Sequence, residues 1–296
     1  MEIAEQLAKE LAVKIEYSHN IIALIDEGNT IPFIARYRKE RTGSCDDQVL
    51  RQFGERLTYL RNLEDRKKLV LQSIEEQGKL TDEISIALER ATTLVEVEDI
   101  YRPFKQKRRT RATIARERGL EPLADLMIAQ TIKKGSLEEI AAPYINPEKS
   151  VLTWEDAAAG AQDIIAERIS DDASARQKLR AVIRRNGALE SKASKEEDSV
   201  YKTYYDFSQS LMQVPGHRIL AMNRGEKEGF LKVNVSVQTD AALSLLRELY
   251  VKPGSITSDA VLATVQDAWS RLLWPSLERE IRNDLTEKAE VGAIQT

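Results

Sequence analysis

Apolar residues recur along most of this chain at helical spacing. Ile3, Leu7 and Leu11 mark a short amphipathic helix, and Ile21, Ile22, Leu24 and Ile25 mark a second. Gly28 closes that second helix, with Asn29 or Thr30 as the next N-cap and Pro32 near the first helical position of a third. The third helix is expected to carry Phe33, Ile34 and Tyr37 inward. Three short helices with tight turns predict a helix-turn-helix-like unit over 1–44, a pattern that many unrelated bundles share. Thr42-Gly43-Ser44 breaks it. Val49, Phe53, Leu57, Leu60, Leu63, Val70 and Ile74 then form one stripe of a long helix over 45–78. At ~1.5 Å per residue it is a rod of about 50 Å, expected to connect two subdomains.

Beyond Gly78 the pattern predicts a helical subdomain over 79–147. Thr93 and Glu96 have capping-box spacing at the start of a helix that runs into Tyr101 and stops at Pro103. Arg102 to Arg111 then reads as an exposed loop, followed by a short helix from Ile114 to Arg118 and another opened by Pro122. Ser136 with Glu139 caps a further short helix, and Pro143 to Pro147 reads as a linker. A second helical subdomain is expected over 148–296. Its first helix is capped by Thr153 with Asp156, and its run Ala157-Ala158-Ala159-Gly160-Ala161 allows close approach of a neighbour.

Residues 188–194 (ALESKAS) and 230–237 (FLKVNVSV) are the two strand candidates, the latter alternating Leu231, Val233, Val235 and Val237 with polar positions. Trp274-Pro275 is expected to split the C-terminal helical stretch. The last piece, from Leu277 to Ala289, has few apolar positions and reads as a helix with nothing to pack against. The fold class is therefore mainly α: a multi-helix N-terminal bundle, a long connecting helix, and a minor two-stranded β element.

Composition agrees with a soluble globular chain: 42% hydrophobic, 31% charged, with only 13 Gly and 8 Pro. Charge adds a contrast. The whole chain carries −4, yet residues 102–118 hold eight cations against Glu117 alone, a local +7 that leaves −11 elsewhere. A basic patch on an acidic body steers polyanions at short range, since fields are screened within about 8–10 Å. A single cysteine, Cys45, excludes an intrachain disulfide. No apolar run approaches the ~20 residues needed to span a bilayer, and the N-terminus is no signal peptide, so a cytoplasmic protein without membrane contact is expected.

The candidate binding residues fall in two clusters. The denser comprises Arg102, Lys105, Lys107, Arg108, Arg109, Arg111, Arg116 and Arg118, flanked by Tyr101 and Phe104. Its cations suit phosphates and its aromatics suit bases; the competing reading pairs them with Glu96, Glu98 and Asp99. The other comprises Arg36, Arg38, Lys39 and Arg41. Arg36 and Lys39 share one helical face, Arg38 and Arg41 another, and some of these are expected to clamp Asp26 or Glu27. His217, Arg218, Asn223 and Arg224 read as a capped helix with surface charge.

No catalytic chemistry stands out. His19 and His217 lack partners at metal-binding spacing, and no metal or cofactor is expected. Cys45, near the start of a helix that would lower its pKa, has no His partner nearby in sequence. Acid pairs such as Asp46-Asp47, Glu75-Glu76, Asp171-Asp172 and Glu196-Glu197 read as helix-terminal or solvated charge. There is no phosphate-binding loop, dinucleotide fingerprint or nucleophile elbow, and the chain is not expected to be an enzyme.

Four segments carry a resemblance: IPFIARYRKERTG (31–43), ERLTYLRNLEDRK (55–67), EDIYRPFKQKRRTRATIARERGLEPLA (98–124) and VPGHRILAMNRGEKEG (214–229). Together they resemble the bacterial Tex family of transcription accessory proteins. The resemblance departs at Thr42-Gly43-Ser44-Cys45, where a second Gly and then Leu would be typical, and at Gly216, where Ser is usual. It implies a helical N-terminal half of a longer protein. A domain resembling the Holliday-junction-resolvase fold, helix-hairpin-helix repeats and an RNA-binding OB-fold domain would follow in such a protein. It also implies nucleic acid, RNA or DNA, as the partner, with the helical half binding through its basic residues in an auxiliary role. The alternative is a scaffold that docks RNA polymerase, the ribosome or another component of the transcription or translation machinery.

Overall fold

The computed structural model describes residues 2–195 and 197–294, so Glu196 of the paired acids lies outside the described residues. The chain divides into two compact units at Phe104 and Lys105. The first holds α1 (Ile3–Glu10), α2 (Ile15–Asp26), α3 (Ile31–Tyr37), α4 (Lys39–Thr42), α5 (Asp47–Glu76), α6 (Asp82–Arg90) and α7 (Leu94–Tyr101), then a 3-10 turn over Arg102–Phe104. Asp46 starts α5 by accepting from the Val49 amide at 2.8 Å. Its buried stripe is Leu50, Phe53, Leu57, Leu60, Leu63, Val70 and Ile74, so Leu50 takes the core position expected of Val49. The helix was expected to connect subdomains; its main partners α1, α2, α3, α6 and α7 all belong to the first unit, whose spine it forms. The Thr93–Glu96 capping box closes in both directions.

The second unit begins with α8 (Arg111–Glu117), α9 (Glu121–Ala129), α10 (Leu137–Ala141), α11 (Trp154–Asp171) and α12 (Ala173–Asn186). Strands β1 (Ala188–Ala193) and β2 (Asp206–Ser210), α13 (Gly216–Lys227), β3 (Leu231–Ser236), α14 (Thr239–Tyr250), α15 (Ser258–Asp267) and α16 (Trp274–Ile294) follow. Residues 143–147, read as a linker, lie inside this unit, and Asn146 bridges to Val151 there. Helix α11 is its axis, in contact with α8, α9, α10, α12 and α15. Gly160 permits the approach of α8 and Leu120: a Cβ there would lie 2.3 Å from Leu120 Cδ1 and 3.4 Å from Ala115 Cβ.

The sheet has three strands in the order β2-β1-β3, all antiparallel, instead of the two expected. Leu189 pairs with Val235 and Ser191 with Val233, while Ser191 also faces Phe207 of β2. The expected strands do pair, but β2 and α13 intervene between them, so they are not a simple hairpin. The C-terminal helical stretch does not break at Trp274-Pro275 as expected: it stays helical from Ser258 to Ile294, and six residues of π-helix (Ala268–Leu273) precede the proline turn. The last helix is not left without a partner: α16 packs on α13 and β3, and Leu277, Ile281 and Ala289 are buried.

Candidate nucleic-acid interface

In the first unit, α2 and α3 are joined by a short turn in which Gly28 has φ +84°. The Asn29 side chain closes α2, its Nδ2 donating to the Leu24 carbonyl at 2.8 Å. Pro32 then enters the first turn of α3. Only Ile34 of α3 is fully buried, with Ile31 packing beside it against α5. After α4 the chain reverses at Gly43 (φ +65°), where any Cβ would meet the Tyr17 ring at 2.5 Å.

This packing turns the rest of the segment outward. Phe33 and Tyr37, expected to face the core, are 36% and 56% exposed. They sit one helical turn apart with ring centroids 5.2 Å from each other, and the Arg38 guanidinium lies 5.5 Å over the Phe33 ring. Arg36, Arg38 and Lys39 are exposed around them, and Arg41 is half-buried. The expected clamp to Asp26 does not form, because Arg61 of α5 takes that carboxylate in a two-pronged contact at 2.7 and 2.9 Å. Among the described residues, none of Arg36, Arg38, Lys39 and Arg41 makes an ion pair. The face therefore offers cations without ion pairs next to aromatic rings, with Glu40 of α4 exposed among them.

The denser basic block is organised differently. Arg102 and Lys105 make contacts of their own and are not free. The cap of α8 is Thr110, which accepts from the Thr113 amide at 3.1 Å, so the helix begins three residues earlier than expected. Its hydroxyl also donates to Glu167 of α11 at 2.9 Å, and Arg116 donates to the same carboxylate at 2.9 Å. Lys107 pairs with Asp171 one turn further along α11 and lies 3.8 Å from Glu167. Arg109 pairs with Glu117 at 2.7 Å. Burial pushes the Glu167 carboxyl up, but Arg116, Lys107 and Thr110 together outweigh burial and hold it below the ordinary carboxylate value.

Of the block's second-unit cations, Lys107, Arg109 and Arg116 are thus bound to acids, while Arg108 and Arg111 are exposed and Arg118 is half-buried at the end of α8. Arg111 does not pair directly, though its charge is felt by Asp163 and Asp267. Glu96 is committed to capping Thr92 and Thr93, and Glu98 accepts from Arg66 at 2.6 Å. The rings expected to flank a ligand pack on the first unit's core instead. Tyr101 shares a hydrogen bond with Ser73 at 2.9 Å, and the Phe104 carbonyl accepts from Gln77.

The other polar cluster, around α13, is structural. Arg218 donates to Gln209 at 2.9 Å and lies over Phe207, and Asn223 donates to Thr286 of α16 at 2.8 Å. Cys45 does not gain acidity from its place before α5; burial and the neighbouring Asp46 charge push its thiol up. Phe33 and Tyr37 are exposed residues that sequence reasoning had placed in the core. Their signal was the i, i+4 spacing that sets them apart from Ile31 and Ile34.

Residues 1–75 match the Tex-like protein N-terminal domain, and residues 133–296 match the Tex central region. The chain is 43% identical over 297 residues to the uncharacterized protein YdcI of Bacillus subtilis, covering 99% of this chain and 41% of that protein. It is 37% identical to the transcriptional accessory protein Tex of Neisseria gonorrhoeae, over 99% of this chain and 40% of that one. A more distant relative is the human S1 RNA-binding domain-containing protein 1, 30% identical over 93% of this chain and 29% of its own. The chain belongs to the Tex family. It spans 41% or less of the length of these relatives. No described helix is long and apolar enough to cross a membrane.

Proposed function

We propose that this chain serves transcription in the cytoplasm as a nucleic-acid-binding accessory protein of RNA or DNA, with no chemical step of its own. In this reading the helices supply auxiliary binding and a scaffold. The observation that carries it is the outward face of α3 and α4, where Arg36, Arg38 and Lys39 make no ion pair among the described residues and stand beside Phe33 and Tyr37. The short turn between α2 and α3 suits a helix-turn-helix arrangement with α3 outermost. Arg108 and Arg111 extend the same chemistry to the second unit, while Lys107, Arg109 and Arg116 serve the fold. The names of the Neisseria gonorrhoeae and human relatives support the assignment.

A salt titration of binding to labelled single-stranded RNA and duplex DNA tests it. Each phosphate contact contributes about 0.7–0.9 to the slope of log affinity against log salt. The triple variant Arg36→Gln, Arg38→Gln, Lys39→Gln is expected to flatten that slope by about 2. The double variant Arg108→Gln, Arg111→Gln is expected to flatten it less. Absence of binding at about 50 mM salt, where phosphate contacts are strong, would favour a protein-docking scaffold, for which exposed Phe33 and Tyr37 are the natural contact.

A further inference from the structure

We infer that Phe33 and Tyr37 are base-stacking residues and that the α3–α4 face takes unpaired nucleotides in preference to a duplex. This rests on the nucleic-acid reading above and assigns to two uncharged side chains a part that the cations cannot play. Ile31 and Ile34 fill the inward positions of α3, so Phe33 and Tyr37 lie adjacent on its outer side, 36% and 56% exposed. They are spaced one turn apart on a single face, their planes tilted by 45°, and so present two separate surfaces to successive bases. Every base has a π-face, but a duplex hides it between neighbouring pairs. Against a groove edge, Phe33 could form no hydrogen bond.

The surrounding groups fit a strand better than a groove. Helix α3 has seven residues, about 10 Å of rise at ~1.5 Å each, which is short for a helix laid along a major groove. Arg38 lies over Phe33 and donates to the Tyr37 carbonyl at 3.4 Å; its guanidinium is too close to the ring to admit a base between them, so a base on this face stacks on the guanidinium plane or displaces it. Arg36 and Lys39 are exposed on the same short helices, α3 and α4, and suit the phosphates of a strand whose bases stack on the rings. Rings and cations thus separate two contributions. Stacking is insensitive to salt, whereas phosphate contact is not.

The test is fluorescence anisotropy of the 296-residue chain with labelled oligothymidylate and with a blunt duplex of equal length, over a salt series. Oligothymidylate is expected to bind more tightly. Phe33→Ala and Tyr37→Ala should each weaken it by about 5- to 150-fold, the equivalent of ~1–3 kcal/mol per stacked base, with the salt slope unchanged. Phe33→Trp and Tyr37→Trp, which keep a ring, should retain the affinity and so exclude a folding defect. If the alanine variants bind within about twofold of the parent, or the duplex binds as tightly as the strand, the stacking inference is overturned. The nucleic-acid reading then survives as long as the Arg36, Arg38, Lys39 variant flattens the slope. Binding of neither probe at about 50 mM salt overturns both.

Discussion

The Arg116 guanidinium donates to the Glu167 carboxylate at 2.9 Å, across a sequence separation of 51 residues. With Thr110 and Lys107 on the same carboxylate, this pair ties the start of the second unit to its central helix. Much of the chain's densest positive charge is therefore a fastening. Glu167→Gln keeps the shape but loses the charge, and is expected to destabilise the second unit by about 1–3 kcal/mol, as for hydrogen bonds to charged groups. Thermal unfolding followed by circular dichroism reads this directly; an unchanged midpoint would mean that Asp171, paired with Lys107, and Glu121, 3.5 Å from Arg116, hold the cations without Glu167.

The same cluster sets an acid limit. Glu167 titrates below its ordinary 4.5 in the folded state, so its contribution is complete above the unfolded value and is lost as pH falls through the lower, folded one. Asp26 and Glu10 behave alike in the first unit, where hydrogen bonds from Arg61 and Arg56 are the main cause. Stability should accordingly decline below about pH 4.5. The Glu167→Gln variant should lose less of its remaining stability than the parent between pH 6 and pH 3, to be checked by urea unfolding at both values.

Asp163 runs the other way. Burial raises its carboxyl above the ordinary 3.8 despite Arg271 at 3.3 Å and the charge of Arg111. A raised carboxyl pKa means that the ionised form costs stability at neutral pH, and that this cost vanishes below the unfolded value. Arg271 keeps a closer partner, Asp267, at 2.6 Å. Asp163→Asn should therefore melt higher than the parent at pH 7, with the difference disappearing below pH 3.8. A variant that melts lower at neutral pH would show that the Arg271 contact outweighs desolvation.

Much of the architecture can be read from local pattern. The stripe on α5, the Thr93–Glu96 and Thr153–Asp156 capping boxes and the alternation of β3 all rest on neighbours a few positions apart. Strand β2 could not be read that way, since Asp206-Phe207-Ser208-Gln209-Ser210 has one apolar residue and is held by pairing to β1. The candidate site was legible only in composition. A seven-residue helix with apolar side chains on several sides does not declare which of them faces inward, and for α3 packing on α5 decides it. Nor does local sequence reveal that Lys107 meets Asp171, 64 residues away, while Arg36 meets no acid among the described residues.

Arg176 is the largest fully enclosed side chain among the described residues, at 0% exposure. It donates to Glu280 of α16 at 2.6 Å, to the Ser276 hydroxyl at 2.7 Å and to the Ser170 carbonyl at 3.1 Å, and Arg180 reaches the same Glu280 at 3.0 Å. One carboxylate thus balances two arginines of α12 and fixes α16 against it. Removing a single partner of such a buried pair strands a charge in low dielectric, at a cost of about 3–5 kcal/mol. Glu280→Gln is expected to show that loss in urea unfolding. The double variant Arg176→Met, Glu280→Gln should recover most of it, because methionine follows the arginine stem without its charge. A double variant no better than the single would place the loss in the Arg180 contact or in the packing of α16, and not in the stranded Arg176 charge.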